Sequence, residues 1–213
     1  MILFEKQTDE YHIAVWNVEE DIETLLSMIP DSYNIRMEAD NRFHSDTRKK
    51  EWIATRALLY AMQKNPVEIV YADNGAPLLF GKHIHISISH TSESANGRNL
   101  MYVAVALSAR HRIGIDIERI SARVCKVKER FIGKGERADT QSSLLLHWSA
   151  KEAAFKVLST EGVDFIRHLH IEPFTETEEG SFILTESKTE KACRMNVMYK
   201  MFNDFVLTFI CTD

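Results

Sequence analysis

The chain has 213 residues, which is enough for one large domain or two of about a hundred residues each. Hydrophobic residues make up 45% and charged residues 27%, a globular composition, and the net charge of −5 argues against nucleic acid as a partner of the whole surface. The scattered cysteines favour neither a disulfide framework nor a zinc knuckle, and neither a signal peptide nor a membrane-spanning apolar run is recognisable. We therefore expect a soluble cytoplasmic protein with reduced thiols and no membrane partner.

The first half of the chain is predicted to combine strands with helices. Residues 11–18 favour a strand, and Val18 to Met28 favours a short helix that ends before Pro30. A long helix is expected from Asp46 to Gln63, because apolar residues recur there with a helical period and Asn65-Pro66 would end it. Those apolar positions are Trp52, Ile53, Leu58, Leu59 and Met62.

Three further strands are predicted from alternating apolar residues. A turn signal at 74–77 leads into a strand over 84–89, with His90 at its end. A polar loop from Thr91 to Asn99 would return the chain into a strand over 101–107, and a short loop would then deliver a strand over 113–118. We expect these three strands to form an antiparallel meander.

The last of these strands carries Gly-Ile-Asp-Ile-Glu at 114–118. Its isoleucines point one way, whereas Asp116 and Glu118 share the other face, with Cα atoms roughly 6.5 Å apart. Two such carboxylates can converge on a hard cation such as Mg²⁺, and Gly114 would let a ligand or a backbone approach closely. The simpler interpretation is an amphipathic strand whose acidic face lies in solvent.

The second half begins with a basic segment, residues 119–137. Its lysines and arginines indicate either a solvated helix face or a docking surface for an acidic partner. Ser142-Ser143 would cap a second long helix from Leu144 to about Ser159, and Gly162 would stop it. Strands are then expected near 168–174, 181–185, 193–201 and 204–211, with turns at 178–180 and 202–204.

The two long helices share a short repeat. Trp, Ala and Ala recur at the same spacing in 52–57 and in 148–153. These matches either arise by chance or mark a duplicated α+β unit, in which Arg56 and Glu152 would stand at equivalent positions. In the second helix Glu152 and Lys156 lie one turn apart and share a face. They are either a helix-stabilising ion pair, or a third metal carboxylate beside a lysine that binds phosphate.

Together these residues resemble a known family. Gly-Ile-Asp-Ile-Glu at 114–118, followed by Trp-Ser-Ala-Lys-Glu-Ala-Ala-Phe-Lys at 148–156, is similar to the signature of the 4′-phosphopantetheinyl transferases, in particular of their larger, two-subdomain type. Three other segments resemble family elements: Gly75-Ala76-Pro77 with Ile88-Ser89-His90-Thr91, Arg130-Phe131 with Glu136, and Arg48-Lys49 with Ala54-Thr55-Arg56. Ala76 departs from the pattern, since many members carry a basic residue there.

This resemblance implies a fold and a reaction. The fold would be α+β, with two similar halves of small antiparallel sheets and long helices packed as a pseudo-dimer around coenzyme A. We expect the halves to span 1–109 and 110–213, with the metal site in the second. The implied reaction moves the 4′-phosphopantetheine arm of coenzyme A, the substrate, to a serine of an apo carrier protein and releases 3′,5′-ADP. Mg²⁺ is the expected cofactor, with Mn²⁺ as an alternative. The partner would be an acidic acyl or peptidyl carrier protein, and the enzyme would be a monomer.

The resemblance also implies roles for individual residues. The metal would be held by three carboxylates, Asp116, Glu118 and Glu152. Glu152 would in addition take the proton of the serine, either directly or through a metal-bound water. Lys156 would stabilise the pyrophosphate, with Lys151 as a second phosphate contact. His90 would contact the 3′-phosphate. The remaining coenzyme A contacts would come from Ser89, Arg48, Lys49, Arg56, Gly75 and Pro77.

Other interpretations of the same residues stay open. A metal-dependent nuclease or phosphohydrolase would use similar groups, although its Glu and Lys usually stand two apart on a strand rather than four apart on a helix. A non-catalytic module that binds coenzyme A or a carrier protein would need fewer of these residues. A metal site made by His83, His85 and His90 is disfavoured, because His90 does not share the strand register of the other two.

Overall fold

The structure, a computed structural model, describes residues 1–95 and 98–212. The chain separates into two units, Met1–Ala109 and Arg110–Asp213. Each unit combines helices with an antiparallel sheet, so the predicted α+β fold with small sheets and long helices is confirmed.

The N-terminal unit is built on an antiparallel sheet of strands β1, β2, β6 and β5, in that order, over its described residues. Its first elements are β1 (Ile2–Gln7), β2 (His12–Asn17), α1 (Ile22–Ser27), α2 (Ser32–Arg42) and α3 (Asp46–Gln63). The chain continues through β3 (Ile69–Tyr71), β4 (Pro77–Leu79), β5 (His85–Ala95) and β6 (Arg98–Ser108). β3 and β4 pair only with each other, as a small separate sheet within the described part of this unit.

Apolar residues of helix α3 lie in the core of this unit, and the predicted bounds of the helix are confirmed. Trp52, Ile53, Leu58 and Leu59 are buried, together with strand residues such as Val103 and Val105. Burial of each large aliphatic side chain contributes roughly 1.5–3 kcal/mol, which outweighs the modest helix propensity of the β-branched and aromatic residues in this segment.

The short helix α1 begins later than the sequence pattern indicates. It starts at Ile22 rather than at Val18, because the carboxylate of Asp21 accepts a hydrogen bond from the backbone N–H of Thr24 at 2.8 Å and caps the first turn. Helix α2 was not predicted, since its sequence lacks a continuous apolar stripe and Ala39 is its buried residue.

Strands β5 and β6 form a longer hairpin than predicted. The expected polar loop over 91–99 is wrong for its described residues, because Thr91, Ser92 and Glu93 pair with residues of β6; residues 96 and 97 lie outside the described part of the chain. His90 therefore lies within β5, opposite Val103, and not at a strand end. Polar side chains do not prevent a ladder whose hydrogen bonds come from the backbone, which explains the error.

The C-terminal unit repeats this plan over residues 110–212 with a different sheet. Its elements are β7 (Arg112–Arg119), α4 (Arg123–Val127), a 3₁₀ turn (Lys128–Arg130), α5 (Gln141–Leu158), β8 (Leu169–Ile171), β9 (Glu179–Glu186), β10 (Arg194–Met201) and β11 (Phe205–Thr212). The antiparallel sheet has the order β7-β11-β10-β9-β8, and α5 packs against β7 and β11. Helix α5 has 18 residues, as has α3.

The predicted three-stranded meander is wrong at its last strand. β5 and β6 pair as expected, but β7 belongs to the second sheet and pairs with β11, with Asp116 opposite Thr208. β11 is the last strand of the chain, so no local pattern around β7 could have indicated this partner.

Two boundaries in the C-terminal unit also differ from prediction. Helix α5 begins at Gln141, because the hydroxyl of Thr140 accepts a hydrogen bond from the backbone N–H of Ser143 at 3.0 Å; the predicted cap at 142–143 is wrong. The predicted turn at 178–180 is wrong as well, since Glu179 and Gly180 lie within β9. The turn at 202–204, between β10 and β11, is confirmed.

Within the two described ranges, no helix is both long enough and apolar enough to cross a lipid bilayer.

Candidate active site

The carboxylates of β7 face helix α5. A Cβ added to Gly114 would lie 2.1 Å from the carbonyl oxygen of Ala153 in α5, so the helix backbone lies directly over this glycine. Asp116 and Glu118 share the face of Gly114 by the alternation of the strand. The interpretation of an acidic face in solvent is therefore wrong: Asp116 is 4% exposed and lies under a helix.

Glu118 is held by a residue whose role the sequence did not indicate. The indole N–H of Trp148 donates a hydrogen bond of 2.7 Å to Oε1 of Glu118. The Trp148 ring is itself fixed between Phe131 and Phe165, with centroid distances of 5.3 and 5.7 Å. Its position four residues before Glu152, on the same helical face, was the available signal.

Lys156 extends from α5 to β7. Its ammonium donates hydrogen bonds to Oδ1 of Asp116 at 2.9 Å and to the carbonyl oxygen of Ile115 at 2.8 Å. Lys156 thus joins the helix to the carboxylate strand through Asp116, a contact that its helical spacing from Glu152 did not predict. Its side chain remains 26% exposed, so Lys156 is not sealed inside the protein.

The carboxylates of this site influence one another. Burial, and next the charge of Asp116, raise the pKa of Glu118 to about 7, and Glu152 adds to this rise. Burial and Asp116 likewise raise the pKa of Glu152 to about 6, while the Lys156 ammonium opposes the rise. Asp116, Glu118 and Glu152 therefore form one electrostatic unit in which an additional cation would be stabilised.

The donor chemistry of this unit suits a hard cation, although the side chains do not converge as metal ligands. Carboxylate oxygens are the ligands that Mg²⁺ prefers, and a cation would relieve the mutual repulsion that contributes to the raised pKa values. Among the residues that the structure describes, no group of three or more His, Cys, Asp and Glu side chains is arranged to hold a metal ion. The alternative site of His83, His85 and His90 accordingly has no support. At Asp116 the neighbouring positive charge is the ammonium of Lys156.

Lys151 lies away from this group, although it precedes Glu152 in the chain. Its side chain is completely buried, and Nζ donates to the carbonyl oxygens of Phe131 and Phe165 and to Oε2 of Glu136, at 2.6, 3.0 and 2.7 Å. The three N–H groups of the ammonium are therefore directed at protein acceptors. This arrangement leaves no donor for the phosphate contact that the resemblance implied.

Glu136 completes this second cluster and explains the spacing of Arg130-Phe131 and Glu136. Its two oxygens also accept hydrogen bonds from the backbone N–H groups of Gly133, at 2.5 Å, and Ile171, at 2.8 Å. Burial lowers the pKa of Lys151, and the contact with Glu136 raises it in part. The pair ties the segment after the 3₁₀ turn to α5 and β8.

In the N-terminal unit, His90 and Ser89 point to opposite faces of β5, since they are neighbours on a strand. His90 shares the face of Ile86 and Ile88, which pack on the core with α3, and its Nδ1 lies 3.4 Å from Glu51 of that helix. Ser89 is buried, 8% exposed. The structure therefore places only His90 of this pair beside the basic residues of α3.

The basic residues of α3 occupy different environments. Arg48 is exposed and lies 3.7 Å from Glu51, whereas Lys49 pairs with Asp40 of α2 at 2.7 Å. Arg56 is only 9% exposed, and its guanidinium lies 3.1 Å from the centre of the Trp52 ring. Burial lowers the pKa of Arg56 to about 10, so it remains charged at neutral pH.

Gly75 and Pro77 form the turn that enters β4. Gly75 has φ +81°, in the left-handed region that favours glycine, and the side chain of Asn74 accepts a hydrogen bond from the N–H of Ala76 at 3.1 Å. Pro77 pairs with Tyr71 of β3, next to Arg42, whose guanidinium is 4.9 Å from the Tyr71 ring. The predicted turn is confirmed.

The basic segment, residues 119–137, is largely solvent-exposed and contains only short helical pieces. In this segment α4 is the first element after β7, and the 3₁₀ turn follows α4 directly. The exposed cations of the segment are Arg123, Lys126, Lys128, Arg130, Lys134 and Arg137.

The C-terminal unit also has relatives by sequence. Residues 112–210, from the start of β7 almost to the end of β11, match the family model described as ACPS, the 4′-phosphopantetheinyl transferase superfamily. The match includes both carboxylates of β7, the whole of α5 and the Lys151–Glu136 pair. No curated protein matches the chain.

Proposed function

Because residues 112–210 match the model of the 4′-phosphopantetheinyl transferase superfamily, we propose that the chain transfers the 4′-phosphopantetheine arm of coenzyme A to a serine of an apo acyl or peptidyl carrier protein. The observation that carries the proposal is the buried group on β7 and α5. There Lys156 contacts Asp116 at 2.9 Å, and the carboxylates of Glu118 and Glu152 have raised pKa values.

In the proposed reaction the serine hydroxyl attacks the β-phosphorus of coenzyme A. A new phosphorus–oxygen bond forms to the serine, the bond to the bridging pyrophosphate oxygen breaks, and 3′,5′-ADP leaves with that oxygen. Glu152 takes the serine proton. With a pKa of about 6 it is mostly ionised at neutral pH and yet basic enough to accept a proton, which suits a general base.

The carboxylate oxygens of this site are donors of the kind that Mg²⁺ prefers. Asp116, Glu118 and Glu152 would hold the ion, with Mn²⁺ as an alternative, and Trp148 would orient Glu118 by its indole N–H. When bound, the ion supplies positive charge to the pyrophosphate oxygens as negative charge develops there. Lys156 stabilises the same pyrophosphate as a point charge, and its side chain is partly exposed.

The N-terminal unit supplies the contacts to the nucleotide end of coenzyme A. We assign the 3′-phosphate to His90 and Arg48, which are both partly exposed and both lie beside Glu51. Lys49 and the turn at Gly75 and Pro77 are assigned to the same end. Ser89 and Arg56 are buried, so we assign them a supporting place behind these contacts.

The carrier protein is proposed to be acidic and to dock on the basic segment. The protein as a whole carries a net charge of −5, so the concentration of exposed cations over 119–137 is a local feature that would steer an acidic partner. A cytoplasmic monomer with reduced thiols is the proposed setting, and Cys125, Cys193 and Cys211 are thiols in the described part of the chain.

The proposed reaction is tested by mass spectrometry of the carrier. The protein is incubated with coenzyme A, Mg²⁺ and several apo carrier proteins of acyl and peptidyl type, and a gain equal to one phosphopantetheine group is expected on at least one of them. Omission of Mg²⁺ with added chelator is the matched control. If no carrier gains mass although coenzyme A binds to the protein, the transferase proposal fails and a binding module is the better explanation.

A further inference from the structure

Glu51 is a buried carboxylate in the N-terminal unit to which the proposed function assigns no role. It lies in α3 and is 5% exposed. Removing a carboxylate from water is costly unless hydrogen bonds and opposite charges replace the lost solvent. The contacts of Glu51 therefore show what the carboxylate is used for.

Two of these contacts come from neighbouring positions on one face of β5. Oε1 of Glu51 accepts a hydrogen bond of 2.7 Å from the hydroxyl of Ser92, and Oε2 lies 3.4 Å from Nδ1 of His90. His90 and Ser92 are two residues apart on the strand and so point to the same side. A third contact, at 3.7 Å, is with Arg48 one turn earlier on α3. Glu51 thus joins the two residues assigned to the 3′-phosphate.

The carboxylate of Glu51 is ionised at neutral pH in spite of its burial. Burial alone would raise its pKa, but the contacts with His90 and Ser92, together with Arg48, hold the pKa below the usual value. A fixed negative charge therefore lies against one nitrogen of the His90 ring. By contrast, the side chain of His90 is 35% exposed, so the rest of the ring is accessible.

The chemistry of imidazole connects this charge to anion binding. A neutral ring that donates its Nδ1 proton to a carboxylate has only an acceptor at Nε2, and an acceptor repels a phosphate oxygen. A ring with protons on both nitrogens donates to the carboxylate and to the phosphate at the same time. A carboxylate at Nδ1 fixes the orientation of the ring, so that Nε2 is the nitrogen left to face the phosphate.

We propose that Glu51 is a positioning residue for coenzyme A: it holds His90 through Nδ1, so that the ring presents an Nε2–H group to the 3′-phosphate, and it aligns Arg48 beside it. The inference rests on the proposed function, because it takes the 3′-phosphate of coenzyme A as the anion. Glu51 itself touches no substrate atom in this arrangement.

Binding of two nucleotides that differ in the 3′-phosphate tests the inference without a carrier protein. Calorimetry on the full chain is done with 3′,5′-ADP and with 5′-AMP. The variant Glu51→Gln retains the shape of the side chain and an acceptor for Ser92 but lacks the charge. We expect it to bind 3′,5′-ADP about tenfold more weakly and 5′-AMP as the wild type does.

A double-mutant cycle and kinetics separate positioning from general structural damage. In a His90→Ala background, Glu51→Gln should have little further effect on 3′,5′-ADP, because the residue through which it acts is gone. In carrier modification, Glu51→Gln should raise the KM for coenzyme A and leave kcat nearly unchanged. Glu23→Gln, which removes an exposed carboxylate of the same unit paired with Arg36, is the matched control and should alter neither quantity.

One measurement needs no variant. In the wild-type protein with 3′,5′-ADP bound, nitrogen-15 NMR of the His90 ring should show protons on both nitrogens. A neutral ring overturns the inference, as does Glu51→Gln binding with wild-type affinity or with equal losses for both nucleotides. If the wild type does not prefer 3′,5′-ADP over 5′-AMP yet modifies a carrier, the inference fails and the transferase proposal stands; if it binds neither coenzyme A nor 3′,5′-ADP and modifies no carrier, both fail.

Discussion

Gly114 and Ala153 bring the carboxylate strand and the long helix of the C-terminal unit into backbone contact. A Cβ on Gly114 would come within 2.1 Å of the Ala153 carbonyl oxygen and 2.7 Å of a methyl group of Val157. Because the helix backbone cannot turn aside as a flexible side chain can, this contact determines how close Glu152 and Lys156 come to Asp116.

Substitution Gly114→Ala should therefore damage both stability and activity. The added methyl group must push α5 away from β7, and we expect a loss of about 2–4 kcal/mol in the free energy of unfolding. Urea denaturation followed by circular dichroism measures this loss. Carrier modification should fall even where the variant is still folded, because the distance between Lys156 and Asp116 changes.

Gly180→Ala is the matched control for this substitution. A Cβ there would meet side-chain atoms of Thr177 and Tyr199 at 3.0 Å, and side chains can move by a few tenths of an ångström. A smaller loss of stability is expected for Gly180→Ala. Equal losses for the two variants would show that the backbone contact at Gly114 has no special importance.

Replacement of Asp116 should remove activity with little effect on the fold. Asp116→Asn deletes the charge that Lys156 contacts and that contributes to the raised pKa values of Glu118 and Glu152. We expect carrier modification to fall at least about 100-fold, equivalent to roughly 2.7 kcal/mol of transition-state stabilisation. The rate is measured with saturating Mg²⁺ and coenzyme A, and Asp139→Asn, at an exposed site of the same unit, is the control. Activity close to that of the wild type would remove Asp116 from the proposed metal ligands.

Lys151 should behave as a structural residue. Lys151→Met leaves the completely buried carboxylate of Glu136 without its cation, and loss of one partner of a buried pair costs about 3–5 kcal/mol. Chemical denaturation should show this loss. The KM for coenzyme A of the remaining folded protein should stay near the wild-type value, because the ammonium of Lys151 is directed at protein acceptors.

Lys200→Met provides the comparison for a surface pair. Lys200 of β10, which is partly exposed, contacts the exposed carboxylate of Glu179 at 2.7 Å, and such surface pairs contribute about 0–1 kcal/mol. A marked rise in the KM for coenzyme A on replacing Lys151, without a loss of stability, would instead restore Lys151 as a phosphate contact.

His147 should make the stability of the protein fall in mild acid. The ring is 1% exposed, and its Nδ1–H donates to the carbonyl oxygen of Ser143 at 2.8 Å. Burial lowers the pKa of His147 below the ordinary value of about 6.5. As the pH falls through about 6.5, the unfolded chain therefore takes up a proton that the folded chain does not, and stability is lost by at most about 1.4 kcal/mol per pH unit.

This prediction is tested by comparing the wild type with His147→Gln. The free energy of unfolding of each is measured between pH 7.5 and 5, and their difference should move in favour of the variant as the pH falls. The same series with His83→Gln, at an exposed position, shows whether removal of a histidine elsewhere has this effect. A difference that does not depend on pH would mean that His147 is not held neutral in the folded protein.

The sequence by itself determined the local elements and the chemical character of the site. Helix 46–63 was predictable because its apolar period is continuous and Asn65-Pro66 follows it, and strand β7 because Ile113, Ile115 and Ile117 alternate with other residues. The superfamily match over residues 112–210 includes the two segments that carry the resemblance, 114–118 and 148–156. These features can be recognised in the sequence because each depends on residues within a single helix or a single strand.

The tertiary structure decided what covers each face. The alternation in β7 shows that Asp116 and Glu118 share a side, but only the packing of α5 shows that this side is buried, and only the pairing with β11 places it in the second sheet. In the same way, adjacent positions on α5 send Lys151 into the interior and Glu152 to the site, since successive helical residues point about 100° apart. The contact of Glu51 with His90 joins residues 39 positions apart in the chain. A hydrophobic period within one helix or strand cannot indicate a contact between residues so far apart.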